Sequence, residues 1–181
     1  MNIPNILTLL RILLVPLAIW LIISDAYGAA FFVLVAAGAT DGLDGYLAKR
    51  FGWATELGAY LDPLADKALL VSTYAALGAL HLIAPWLVIT VISRDVLIIG
   101  ALLLSRFMEK PYPVRPLRVS KANTLMQIVY VALVLANLSF TIPPEPVLQG
   151  VAILVAIFTL ASGAAYLKVW IAHMSGMAEA E

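Results

Sequence analysis

The chain has 181 residues, of which 63% are hydrophobic, and a mean hydropathy of +0.99. That exceeds what a soluble domain needs for its core and fits an integral membrane protein. Lys plus Arg balance Asp plus Glu, so net charge selects no polyanionic partner such as nucleic acid, and the absence of cysteine excludes disulfides, thiolate zinc sites and a cysteine nucleophile.

The opening stretch, MNIPNILTLLRILLVPLAIWLIIS, places Arg11 ahead of an apolar run, as a signal peptide would. No convincing small-residue cleavage site follows, and the segment reads as a retained first span. A hydrocarbon core of about 30 Å needs about 20 helical residues per crossing. Apolar windows of that kind fall at 6–24, 29–50, 56–80, 84–106, 120–140 and 146–170, separated by SDAYG, RFGW, HLIAP, MEKPYPVRP and FTIPPEP. The sequence therefore predicts an all-α integral membrane protein with six transmembrane helices. These form one domain over 1–175, followed by a polar tail at 176–181.

Basic residues set the orientation. Lys49, Arg50, Arg106, Lys110, Arg115 and Arg118 follow the second and fourth spans, Lys121 opens the fifth, and Lys168 lies near the end of the sixth. The connections after the first, third and fifth spans carry no Lys or Arg. By the positive-inside rule both termini face the cytoplasm, as does the connection between spans two and three. His81 and His173 stand apart with no ligand-spaced companions, which favours structural roles for both.

The second and third spans hold four aspartates: Asp41 and Asp44 at i,i+3, and Asp62 and Asp66 at i,i+4. On helices each pair shares a face. A turn at Phe51-Gly52-Trp53 brings the pairs to similar depth, and Gly42, Gly45, Ala48, Gly58 and Ala59 let the backbones approach. An ionised Asp deep in a membrane helix costs roughly 2.5–3.5 kcal/mol even on the lenient insertion scale. The basic residues within this stretch are Lys49, Arg50 and Lys67, and long basic side chains can snorkel away. Hard divalent cations solve the problem best, and without cysteine or paired histidine Mg²⁺ or Mn²⁺ is favoured over Zn²⁺. Solvated helix ends are the bland alternative, which four acids at helical spacing on consecutive spans argue against. A cation transporter with intramembrane carboxylates is the rival of another class; the short chain and the absence of a convincing repeat weigh against it. Two metals in a carboxylate cluster suit displacement at phosphorus. With no Walker A or G-x-G-x-x-G segment, a phosphate-bearing lipid is the expected substrate.

Asp41-x-x-Asp44-Gly45-x-x-Ala48 followed by Gly58-x-x-x-Asp62-x-x-x-Asp66 resembles the signature of the CDP-alcohol phosphatidyltransferases, and the opening NIPNILTLLR and six-span layout resemble that family too. Lys49 stands where the signature usually has an arginine. The resemblance implies an enzyme that attacks the β-phosphorus of a CDP-linked lipid such as CDP-diacylglycerol and releases CMP. It implies that Asp41 and Asp62 bridge two divalent ions, that Asp44 and Asp66 complete the two sites, and that Asp66 accepts the proton of the attacking hydroxyl. It assigns Ile3, Pro4, Asn5, Ile6, Gly45, Lys49 and Thr55 to contacts with the CDP-lipid. It also implies a homodimer, and the layout suits a bacterial inner membrane with the site facing the cytoplasm.

The acceptor is read from segments outside the signature. Arg94-Asp95 lies inside the fourth span, and Ser120-Lys121-Ala122-Asn123-Thr124 opens the fifth. Both look more like family members that use phosphatidylglycerol, making cardiolipin, than like those that use sn-glycerol 3-phosphate. Asn123 in place of a lysine suits a phosphodiester, which carries one negative charge where a monoester approaches two. Arg94 and Lys121 are the candidates for gripping an acceptor phosphate, against a self-neutralising Arg94–Asp95 pair. A basic pocket disfavours choline or ethanolamine.

Overall fold

Six α-helices and no strand make up the described residues of a computed structural model, namely 3–51, 56–108 and 118–175, with side chains described for 8–40, 65–105, 107–108 and 119–175. They are α1 (Ile3–Ile23), α2 (Tyr27–Phe51), α3 (Glu56–Ala79), α4 (Pro85–Phe107), α5 (Arg118–Phe140) and α6 (Glu145–Met174). The polar tail expected at 176–181 and Thr55 lie outside the described residues.

Helix limits follow local chemistry. Pro85 opens α4 at the first helical position, where its missing N–H costs nothing, and the carbonyl of Ala84 accepts from the amides of Leu87 and Val88 at 3.0 and 3.4 Å. The ends of α1 and α3 close in the same way. Ala26 N–H bonds Leu21 O at 2.9 Å and Asp25 N–H bonds Ile22 O at 3.2 Å; Leu82 N–H bonds Leu77 O at 2.9 Å and His81 N–H bonds Gly78 O at 3.0 Å. Both are Schellman closures, and Asp25 (φ 59°) and His81 (φ 56°) take the left-handed position that glycine usually fills. Thr141 (φ 59°) closes α5 with a single bond to Asn137 O at 2.8 Å. His81 is thus an exposed cap residue, in keeping with the structural role expected of it.

Among the described residues, Pro85–Ser105, Val119–Phe140 and Glu145–Met174 are long and apolar enough to cross a membrane, and Thr8–Ile23 and Tyr27–Thr40 form shorter apolar stretches. The exposed faces bear this out. On α4, Ile89, Val96 and Leu103 lie seven apart and are more than half exposed. On α6, Ile153, Ile157 and Leu160 are likewise open. Such stripes suit lipid contact and would be a liability in water.

The chain divides into two compact units, Met1–Ile83 with Ile128–Leu148 and Ala84–Gln127 with Gln149–Glu181. In the first, α1 packs against both α2 and α3. Its buried stripe runs Thr8, Arg11, Ala18, Leu21 and Ile22, at helical spacing, so this face is polar towards its start and apolar towards its end. On α3 the buried residues are Ala65, Leu69, Leu70, Thr73, Tyr74 and Leu77. Pro16 stands inside α1 without ending it, as membrane helices tolerate. Gly28 brings the start of α2 close to α5: a Cβ there would meet Ser139 Oγ at 2.6 Å. Phe31, Phe32 and Phe140 cluster edge to face beside it, with centroids 5.3–6.4 Å apart.

Candidate active site

Asp41 and Asp44 lie in the C-terminal half of α2, and Asp62 and Asp66 in the N-terminal half of α3. From Tyr27 to Asp41 is fourteen residues and from Asp66 to Ala79 thirteen, which at about 1.5 Å per residue puts each about 20 Å from its helix end. Asp44 and Asp62 are both seventeen residues from those same ends, about 5 Å deeper. Asp41 and Asp66 thus stand at equal distances along their helices from those ends, and so do Asp44 and Asp62. The side chains of Asp41, Asp44 and Asp62 lie outside the described residues, as do those of Ile3, Pro4, Asn5, Ile6 and Lys49, and the surroundings of Gly45. No group of three or more metal-ligating acids or histidines occurs among the residues whose side chains are described, and of the four aspartates these include Asp66 alone.

Asp66 has a partner that the sequence did not point to. Arg11 Nη1 donates to Asp66 Oδ1 at 2.7 Å, joining α1 to α3. The arginine side chain is 1% exposed and the aspartate 39%. The twelve residues from Arg11 to Ile23 and the thirteen from Asp66 to Ala79 rise about 18–20 Å each, so the pairing is in register with the two helix ends. The aspartate stretch offers Lys49, Arg50 and Lys67 as its own counter-charges, whereas this one comes from 55 residues away. In the sequence Arg11 reads only as the charge preceding an apolar run.

The second unit contains a separate buried polar cluster. Arg94 Nη1 donates to Asp95 Oδ1 at 2.5 Å, and Nη2 donates to Ser120 Oγ at 2.5 Å and Ser162 Oγ at 2.6 Å. Its guanidinium carbon lies 5.8 Å from the centroid of the Tyr166 ring, within cation–π range. Arg94 and Asp95 are 6% and 7% exposed, and Arg94 Nε has no hydrogen-bond partner. One side chain thus ties α4 to α5 and α6, which is the self-neutralising reading of the pair. Close by in the sequence, Asn123 is wholly buried, and Thr159 Oγ1 donates to its Oδ1 at 2.8 Å while Gln127 Nε2 donates to Thr159 Oγ1 at 3.3 Å. Asn123 is therefore an α5–α6 packing residue. Lys121, by contrast, is exposed on the first turn of α5.

Among the described residues, a wholly helical fold, membrane-length apolar helices and an aspartate pair on each of two successive helices define a class. A model of the CDP-alcohol phosphatidyltransferase family matches residues 1–171, and the chain belongs to that family. It is 33% identical, over 92% of its length, to a chloroplastic CDP-diacylglycerol–glycerol-3-phosphate 3-phosphatidyltransferase of Oryza sativa, and 36% identical over 91% to the human cardiolipin synthase (CMP-forming). The match covers 56% and 60% of those two proteins, so the chain spans somewhat over half of their length. A Bacillus subtilis CDP-diacylglycerol–glycerol-3-phosphate 3-phosphatidyltransferase is 32% identical over 91% of this chain and 93% of its own.

Proposed function

We propose that the protein moves the phosphatidyl group of CDP-diacylglycerol onto a glycerol-type alcohol and releases CMP, with phosphatidylglycerol as acceptor and cardiolipin as product. The observation that carries this reading is the family's aspartate pattern on two helices of one unit, with Asp66 held half open by a buried arginine. The acceptor oxygen forms a bond to the β-phosphorus of the CDP-lipid, and the bond from that phosphorus to the bridging oxygen breaks, so that CMP leaves. Asp66 orients the acceptor hydroxyl and takes its proton on a carboxylate oxygen. Oδ1 is engaged by Arg11 and cannot rotate without breaking that bond.

The donor chemistry fits two hard divalent ions, Mg²⁺ or Mn²⁺, which Asp41, Asp44, Asp62 and Asp66 would hold: the acids are paired, and the chain has no cysteine to recruit a softer metal. When bound, the ions would neutralise the diphosphate and stabilise the departing CMP. Ile3, Pro4, Asn5, Ile6, Gly45, Lys49 and Thr55 are the proposed CDP-lipid contacts. Lys121, exposed at the start of α5, is the proposed ligand of the acceptor phosphate. Arg94 supports it by bonding the adjacent Ser120, and has Nε in reserve.

A second acceptor, sn-glycerol 3-phosphate, is favoured by the similarity to the rice and Bacillus proteins. We further propose six membrane crossings with both termini in the cytoplasm, residence in a bacterial inner membrane, and a homodimer. The test is CMP release by purified protein in detergent with CDP-diacylglycerol and Mg²⁺ or Mn²⁺, offering phosphatidylglycerol and glycerol 3-phosphate separately. Cardiolipin formation supports the favoured acceptor, and phosphatidylglycerophosphate replaces it with the second. Turnover with neither of these, nor with any other alcohol, would return the cation-pathway reading.

A further inference from the structure

We infer that Arg11 is the positioning residue of the reaction, holding Asp66 in the orientation in which it meets the acceptor hydroxyl. The inference rests on the proposed role of Asp66.

Three observations carry it. First, Arg11, the one charged residue of the first helix, is 1% exposed. A long basic side chain there would ordinarily extend its head to the interface, and this one turns it inward. Second, its Nη1 lies 2.7 Å from Asp66 Oδ1, a charge-assisted bond between residues 55 apart. Third, the pair is asymmetric. The other described Arg–Asp bridge, between Arg94 and Asp95, is shut away at both ends with 6% and 7% exposure, as a packing device would be. Arg11–Asp66 buries the cation and leaves the carboxylate 39% exposed. That arrangement anchors one carboxylate oxygen on a buried cation while part of the carboxylate stays exposed.

Arginine suits the task. Its guanidinium presents a planar fork of donors that dictates direction as well as charge. Lysine at position 11 would keep the charge and lose the direction. A carboxylate displaced by about 1 Å from a reacting hydroxyl forfeits on the order of 100-fold in rate.

The test compares full-length wild type, Arg11→Gln and Arg11→Lys in detergent by steady-state CMP release, by affinity for CDP-diacylglycerol, and by melting temperature. The expected result is a kcat for Arg11→Gln about 100-fold down with CDP-lipid affinity within threefold of wild type, and a kcat for Arg11→Lys between the two. A wild-type kcat in folded Arg11→Gln overturns the inference. So does a loss in which kcat, CDP-lipid affinity and melting temperature fall together and Lys restores none of them, since that is the mark of a packing role. If Arg11→Gln cannot be purified, Arg11→Lys decides: lowered kcat at unchanged CDP-lipid affinity supports the inference, and wild-type kcat sinks it. Wild type that turns over no alcohol would instead overturn the proposed function, and the inference with it.

Discussion

Replacing Asp95 with alanine should destabilise the protein severely, and the structure supplies the size of the effect. Asp95 and Arg94 are both more than nine-tenths buried and bonded at 2.5 Å. In Asp95→Ala the guanidinium keeps only the hydroxyls of Ser120 and Ser162 as hydrogen-bond partners among those seen here. Removing one partner of a buried pair costs about 3–5 kcal/mol, because the remaining charge has lost its compensation. At about 2–4 °C per kcal/mol for a chain of this size, the melting temperature should fall by roughly 6–20 °C. The double variant Arg94→Met with Asp95→Leu removes both charges while keeping apolar volume, and should melt closer to wild type than Asp95→Ala does. Tryptophan fluorescence in detergent is a suitable assay, since Trp170 donates from Nε1 to Ser105 Oγ at 2.7 Å and to Ala101 O at 3.0 Å in the same unit. A drop of less than roughly 2 °C for Asp95→Ala, or a double variant that melts below it, would refute the reasoning. The double variant also separates two roles for Arg94: an acceptor KM raised in a protein of normal stability would assign it to phosphate binding.

Asp66→Asn should bind CDP-diacylglycerol in part and lose turnover, measured as CMP release beside a direct binding isotherm; an active variant would remove the proposed base. Lys121→Ala should raise the KM for the acceptor more than that for the CDP-lipid, and equal effects on both would strip Lys121 of its role. His81→Gly should raise stability by about 1 kcal/mol, because an exposed non-glycine residue at φ 56° bears a steric cost that glycine escapes; a lowered melting temperature would contradict that account. Chelation by EDTA should abolish CMP release, with recovery on adding back Mg²⁺ or Mn²⁺, and undiminished activity in EDTA would end the two-ion reading.

Much of this protein is determined locally and is legible one stretch at a time. Apolar runs of membrane length become helices because backbone groups in hydrocarbon must bond within their own segment. Proline and the polar loop residues end those runs, so the expected windows at 6–24 and 146–170 and the observed α1 and α6 agree to within a few residues. Aspartate depth is equally local, since rise per residue converts sequence spacing into height along a helix. Even so, local rules missed the left-handed caps at Asp25, His81 and Thr141, because glycine is the residue that advertises such a turn.

What tertiary structure alone decided is which charges meet. Arg11 reads as a lone basic residue in a leader-like segment until α1 packs against α3 and delivers it to Asp66. From the sequence Arg94–Asp95 reads as either a phosphate grip or a closed pair, and the bonds of the same guanidinium to Ser120 and Ser162, 26 and 68 residues away, exist only in the folded chain. Electrostatic attraction depends on distance through space and on what surrounds the charges. A single chain states the charges themselves, while their separations and their burial exist only once the helices have packed.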